Sequence, residues 1–223
     1  MIKMLRGFSN LETGQSSAID AQLSIELIAD VTSQINPKAK SLLDIGCGAG
    51  NYSLKILERL PNLDVTLLDL SRPMLKRAVE RLSSRTSGKI TAIQRDIREA
   101  QIGESEFDII CAAAVLHHLR EEKEWQQVFS RIYAALKPGG SFWISDIITH
   151  SNARVQSIMW QRYGEYLSRL KDDAYRDEVF AYIEKEDSPR SLLFQVDLLR
   201  SVGFKDIEVL HKNCCFATFG AIK

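Results

Sequence analysis

Gly46, Gly48 and Gly50 alternate with Cys47 and Ala49 directly behind an apolar run that contains Asp44. Glycines at that spacing remove the side chains that would keep a ligand off the backbone. A helix opening at such a turn points unpaired amide hydrogens at an anionic part of the ligand, which is the chemistry of a nucleotide-like cofactor site. About 20 residues further on, Asp69 closes a second apolar run, where a carboxylate accepts from both hydroxyls of a ribose. The adjacent His117 and His118 add imidazoles that serve as bases near neutral pH. Each feature also has a quieter reading. A strand-to-helix turn needs glycines for packing alone. Asp69 precedes the helix-start signals Ser71 and Pro73. Paired histidines at a corner also serve by hydrogen-bonding the backbone.

The elements that must carry these groups follow in order. Leu42, Leu43 and Ile45 predict a strand covered on both faces. Tyr52, Ile56, Leu57 and Leu60 then share one face of a helix, with Lys55, Glu58 and Arg59 largely away from it. After the turn at Pro61-Asn62, residues 64–70 predict a second strand, and residues 89–94 a third that runs into Arg95-Asp96-Ile97. Residues 107–114 form a fourth that ends in small side chains, which let backbone carbonyls approach a ligand. Trp125, Val128, Phe129, Ile132, Tyr133 and Leu136 line one helix face, closed by Lys137-Pro138-Gly139-Gly140 before a fifth strand at residues 141–146.

A dinucleotide fingerprint wants its third glycine where Asn51 stands, whereas Gly46, Gly48 and Gly50 spell G-x-G-x-G. With Asp44 ahead of it, that pattern resembles motif I of the class I S-adenosylmethionine-dependent methyltransferases. Val115-Leu116-His117-His118-Leu119 resembles their motif IV region, and the Leu136–Gly140 turn is similar as well. The resemblance covers about residues 41–146 by motif and the tail by pattern. It implies an α/β, Rossmann-like, seven-stranded, mostly parallel sheet with an antiparallel last strand and helices on both faces. It implies S-adenosyl-L-methionine as cofactor, leaving as S-adenosyl-L-homocysteine. Carried onto this chain, it has Gly46, Gly48 and Gly50 cradle the methionine end, with Asp44, Cys47 and Asn51 in the same cofactor-binding set. Asp69 takes the ribose and Leu70 flanks the adenine. Asp96 accepts from the adenine amine, Ile97 packs on the ring, and Ala113 offers a backbone carbonyl. His117 or His118 orients or deprotonates the acceptor. Taken alone, Asp96 is as well read as a turn residue.

With 223 residues, 45% of them apolar, the chain has enough material for one sizeable core, and no repeat or linker divides it. The expectation is one methyltransferase domain over residues 1–223, with residues 1–38 a helical cover and 147–190 a helical substrate-cap insertion. Ile19, Leu23, Leu27, Ile28 and Val31 give the leading helix its spacing, and Leu192 to Leu199 predict a late helix stopped by Gly203 before two strands. Trp160, Tyr163 and Tyr166 in the insertion are candidate substrate-binding residues, or else the packing face of a helix. Balanced charge, 29 basic against 29 acidic residues, offers no general attraction to nucleic acid or anionic membrane. Neither the four cysteines nor the four histidines show metal-ligand spacing, so no metal is expected, and reduced thiols are the default. Without an apolar leader or spanning stretch, the expected location is cytoplasmic. The expected partner is a small-molecule acceptor; the methylated atom and the oligomeric state stay open.

Other classes share parts of the pattern. A nicotinamide-dependent dehydrogenase has the glycine turn and the ribose acid, but this chain shows no tyrosine-lysine pair. A tRNA- or rRNA-modifying methyltransferase shares the cofactor half, yet no asparagine-proline-proline-aromatic motif follows the fourth strand. A non-catalytic cofactor-binding protein would keep the pocket and lack turnover.

Overall fold

The structure, a computed structural model, describes residues 9–10 and 15–223. A short ribbon pairs β1 (Ser9–Asn10) with β2 (Gln15–Ser16), antiparallel. There follow α1 (Ala21–Ile35), β3 (Ser41–Ile45), α2 (Asn51–Arg59), β4 (Asp64–Asp69), α3 (Arg72–Leu82), β5 (Ile90–Gln94) and β6 (Phe107–Ala113). A 3-10 turn at Leu116–His118 leads into α4 (Glu122–Ala135), β7 (Leu136–Ile147), α5 (Ala153–Leu170), α6 (Asp173–Glu186), α7 (Leu192–Val202), β8 (Asp206–Asn213) and β9 (Phe216–Ile222).

Seven strands form one sheet in the order β5-β4-β3-β6-β7-β9-β8. The pairs β5–β4, β4–β3, β3–β6 and β6–β7 are parallel, and β9 runs antiparallel to both its neighbours. This is the expected Rossmann-like sheet. The chain leaves β3 in one direction for β4 and later returns to its other side as β6. Such a reversal opens a crevice at the carboxyl ends of the strands.

Alternation along the central strands sends side chains to two cores. Leu43, Ile45, Ile110, Ala112, Phe142 and Ile144 meet the helices α4 and α7, through Phe129, Ile132 and Leu199 among others. Leu42, Ile109, Cys111 and Trp143 join Ile28 of α1, Ile56 of α2 and Leu75 of α3 on the opposite face. A third cluster ties α5 and α6 to the β8–β9 end of the chain through Tyr163, Leu167, Val179, Ile183 and Cys215. Among the described residues no helix is long and apolar enough to cross a membrane.

Two details differ from the sequence expectations. The buried face of α1 is Ser24, Ile25, Ile28, Ala29 and Thr32, while Leu23 stands 45% exposed. Small residues let the helix sit close, and the Thr218 hydroxyl donates to Ser24 Oγ at 2.7 Å inside the contact. The Lys137–Gly140 segment, expected as a turn before the fifth strand, is taken into β7. It pairs irregularly, so that Phe107 faces Leu136 and Ile109 faces Ser141. Gly139 bends it at φ +76° and donates its N–H to the carbonyl of Lys223. Of the expected N-terminal cover, residues 1–8 and 11–14 lie outside the described residues.

Candidate active site

The crevice begins at the glycine turn. Gly46 and Cys47 donate their N–H groups to the Leu68 carbonyl, extending the β3–β4 contact past the strand end. Gly46, Gly48 and Gly50 have φ of +67°, +51° and +78°, which favours glycine at all three. Their surroundings differ. A Cβ on Gly46 would lie 2.6 Å from the Val115 side chain, and one on Gly50 would lie 2.8 Å from Leu82. A Cβ on Gly48 would meet nothing within 4 Å. The outer glycines are therefore fixed by packing, and the middle one borders open space.

Asp69 braces that open position. Its Oδ2 accepts from Gly48 N at 2.8 Å and its Oδ1 from Ser71 N at 2.7 Å. Each oxygen keeps a lone pair, so two further donors can be accepted. Asp44 lies beneath the turn, 2% exposed, and accepts from the Ser53 hydroxyl at 2.6 Å. Burial pushes its carboxyl up to about 6, against the hydrogen bonds from Ser53 and Cys111. Arg81, which the sequence reading passed over, reaches from α3 to the Ala49 carbonyl and to Asn51 Oδ1, at 2.5 and 2.8 Å. Asn51 is thus already engaged. Cys47 is buried with its thiol near the Gly48 carbonyl.

Further along the edge, Leu70 is 63% exposed, an apolar side chain left uncovered beside the crevice. Asp96 follows β5, with Arg98 donating three times to it: from N and Nε to Oδ1 and from Nη2 to Oδ2. One lone pair remains. The Arg98 pairing holds the Asp96 carboxyl below its ordinary range despite partial burial. Ile97 is buried in the core on the α4 side.

The other wall follows β6. Beyond Ala113 the backbone turns through Ala114 at φ +51°, a strained value for a residue with a Cβ. This turn brings Val115 onto Gly46, and His117 and His118 come next. Asp146, near the end of β7, holds the loop with both oxygens. Oδ2 accepts from the N–H groups of Leu116 and His117 at 3.0 and 3.3 Å, and Oδ1 lies 2.5 Å from His117 Nδ1. Asp187, the residue after α6, brings Oδ1 to 3.7 Å from His117 Nε2 and 3.1 Å from His118 Nδ1. Burial draws the His117 ring toward neutrality, but the attraction and hydrogen bond of Asp146, with Asp187 behind them, carry it above its ordinary value. The His118 side chain is 38% exposed and the His117 side chain 10%.

A family described as a methyltransferase domain matches residues 43–142, the span from β3 into β7 that holds the glycine turn, Asp69 and both histidines. Over that span the chain carries a methyltransferase domain, and together with the fold and the relatives this supports a class I S-adenosylmethionine-dependent methyltransferase. The carboxy-S-adenosyl-L-methionine synthase of Nautilia profundicola is 26% identical over 207 residues, covering 90% of this chain and 84% of its own. YqeM of Bacillus subtilis, provisionally named a methyltransferase, is 28% identical over 199 residues, covering 81% and 74%. The fold is similar to that of human N-acetylserotonin methyltransferase in complex with SAM, with a TM-score of 0.58 at 19% identity over 88% of this chain. This methyltransferase spans about half of that structure's chain, 51%. Its cofactor is S-adenosylmethionine. The open position over Gly48 and the spare acceptor capacity of Asp69 fit such a group.

Within the methyltransferase, the three aromatics expected to bind substrate are engaged in packing. Tyr163 is 1% exposed, with its ring against Phe216, Trp160 and Phe180. Trp160 stacks on Phe180 at 4.7 Å, and the Tyr166 hydroxyl donates to the Ser16 carbonyl at 2.6 Å. Val115, Asp146 and Asp187 are site residues the sequence reading left without a role. Asp187 closes the charged run Glu184-Lys185-Glu186, whose composition is that of a solvated face, two residues before Pro189.

Proposed function

We propose that this methyltransferase moves a methyl group to a small-molecule acceptor held over His118, under the cover of α5 and α6. The observation that carries this reading is the contact of Val115 with Gly46. It sets the histidine loop against the turn where the donor's amino-acid end would lie. When bound, S-adenosylmethionine supplies a methyl carbon activated by the adjacent sulfonium. In this reading the glycine turn and Asp44 hold the methionine end, Asp69 the ribose hydroxyls, and Leu70, Ile97 and the last lone pair of Asp96 the adenine. The Ala113 carbonyl faces the donor. His118 turns Nδ1 to Asp187 and leaves Nε2 to orient the acceptor and, with the ring neutral, to take its proton. Holding the acceptor in line supplies about 7 to 11 kcal/mol of the barrier, the larger part of the task. Trp160, Tyr163 and Tyr166 act by fixing the cap, with the rim of the acceptor site left to less buried neighbours.

The balanced charge of the chain favours a small acceptor over a nucleic acid. A second reading has support of its own, since the Nautilia relative matches along 90% of this chain. In it the chain makes carboxy-S-adenosylmethionine: a C–H bond of the sulfonium methyl is broken with loss of the proton, and a C–C bond forms to the carboxyl carbon released by a decarboxylating carboxylic-acid co-substrate. One experiment separates the two. The protein is incubated with methyl-labelled S-adenosylmethionine and a metabolite extract, and the products are resolved by mass. Label on a new small molecule, with S-adenosylhomocysteine formed in equal amount, is the expected result. A carboxylated donor with no label transferred would replace this reading by the second.

A further inference from the structure

The buried charges behind the histidines converge in a way that hydrogen bonding leaves incomplete. His117 Nδ1 faces the Asp146 carboxylate, so that nitrogen carries the hydrogen, and in the neutral ring Nε2 keeps a lone pair. Nε2 faces Asp187 Oδ1, a carboxylate oxygen that is buried and has no aligned hydrogen-bond donor. The Asp187 side chain is only 4% exposed. Lone pair opposed to lone pair, out of reach of water, calls for positive charge between them, a second proton on the ring or a bound ion.

The surroundings are built to hold that arrangement. Ser188 N donates to the His117 carbonyl at 2.7 Å, and Arg120 Nη2 donates to the carbonyls of Lys185 and Glu186 at 3.1 and 2.9 Å. Asp187 is thereby clamped to the histidine loop. It also caps the carboxyl end of the 14-residue α6, the end whose dipole favours positive charge. The three candidate ligand atoms, His117 Nε2, His118 Nδ1 and Asp187 Oδ1, lie within 4.8 Å of one another. Nitrogen and oxygen ligands of a zinc-like ion stand about 2.0–2.2 Å from it.

We propose that His117, His118 and Asp187 bind one divalent transition-metal ion of the zinc, cobalt or iron(II) kind, with Asp146 as the carboxylate that orients the His117 ring. Two imidazole nitrogens and one carboxylate oxygen form the donor set of metal sites that keep a position open. A carboxylate on the far nitrogen of a ligating histidine is the usual second partner. His118, the exposed member, leaves the ion reachable from the crevice. There, with the ion bound, the open position would take an oxygen of the acceptor, and the direct contact with His118 Nε2 belongs to the metal-free protein. That role rests on the methyl-transfer reading; metal binding does not.

The test uses full-length protein stripped with a chelator and dialysed. Titration with Co²⁺, followed by visible absorption, is expected to saturate at one equivalent with ligand-field bands that Zn²⁺ abolishes. Asp187→Asn and His118→Ala are expected to weaken binding by about ten-fold or more. His211→Ala, at a histidine paired with Asp20 elsewhere, is expected to bind as the wild type does. In the wild type, Zn²⁺ should also shift the side-chain nitrogen resonances of His117 and His118, a readout that needs no variant to fold. Absence of saturable binding would overturn the proposal. So would equal affinity in Asp187→Asn and His118→Ala, or a His117 ring that stays doubly protonated in the presence of Zn²⁺. Loss of methyl transfer with metal binding intact would count against the methyl-transfer reading alone.

Discussion

The wall of the crevice around Gly46–Asn51 and the wall around His117 and His118 are held by different forces. The first is a short turn bonded to the next strand, where the limiting quantity is space: one added carbon at Gly46 collides with Val115. The second is assembled from the ends of β6, β7 and α6 by buried carboxylates and imidazoles, where the limiting quantity is charge balance. Changes of volume should therefore damage the glycine turn itself, and changes of charge the packing of the histidine loop. The cap behind the acceptor wall is a third kind of region, held by aromatic packing.

The largest effect tests the cap. Tyr163→Ala empties a fully buried site among Trp160, Phe180 and Phe216 and is expected to cost about 3–5 kcal/mol in denaturant unfolding. Affinity for S-adenosylhomocysteine should be retained where the variant is folded. Loss of both together would join the cap to the donor wall and break the division.

Asp44→Asn sharpens the role of charge beneath the turn. The folded-state value of about 6 lies above the ordinary carboxylate value of 3.8, so the folded chain binds the proton more tightly than the unfolded one. Stability from this group is therefore greatest below about pH 4 and is lost as pH rises through about 6, by up to about 3 kcal/mol. The variant should gain on the wild type between about pH 4.5 and pH 7 in urea midpoints. An equal difference at both pH values would show that Asp44 folds without a raised value.

His118→Ala is expected to slow methyl transfer about 100-fold while leaving S-adenosylhomocysteine affinity unchanged. Wild-type turnover would leave the histidine pair structural. The smallest pair of effects separates the glycines. Gly46→Ala should lose about 1–3 kcal/mol from collision and backbone strain. Gly48→Ala should lose only about 1–2 kcal/mol from its left-handed backbone, yet bind S-adenosylhomocysteine poorly because the methyl group fills the open position. Reversed rankings in thermal denaturation and calorimetry would contradict the assignment of open space to Gly48.

How much of this was legible in the sequence follows from how local each feature is. The glycine turn, Asp69 and the strands around them are specified by neighbouring residues, and the fold places them as the periodicity predicts. The paired histidines were visible, but their partners were not. Asp187 lies about 70 residues away in a charged stretch, and nothing local distinguishes a carboxylate that turns inward at a helix end from its solvated neighbours. The α1 face was misjudged for the opposite reason. Its contact uses Ser24, Ala29 and Thr32, whose small or polar side chains carry no hydrophobic signal. For Trp160, Tyr163 and Tyr166 the sequence leaves substrate binding and helix packing both open, because tertiary contacts decide what such aromatics do.

The most direct measurement is calorimetric titration of S-adenosylhomocysteine into the wild type and Asp69→Ala. Saturable binding at one site per chain is expected, weakened by about ten-fold or more when the carboxylate is removed. No binding to the wild type, or the same affinity in both proteins, would contradict the donor site described around Gly48 and Asp69.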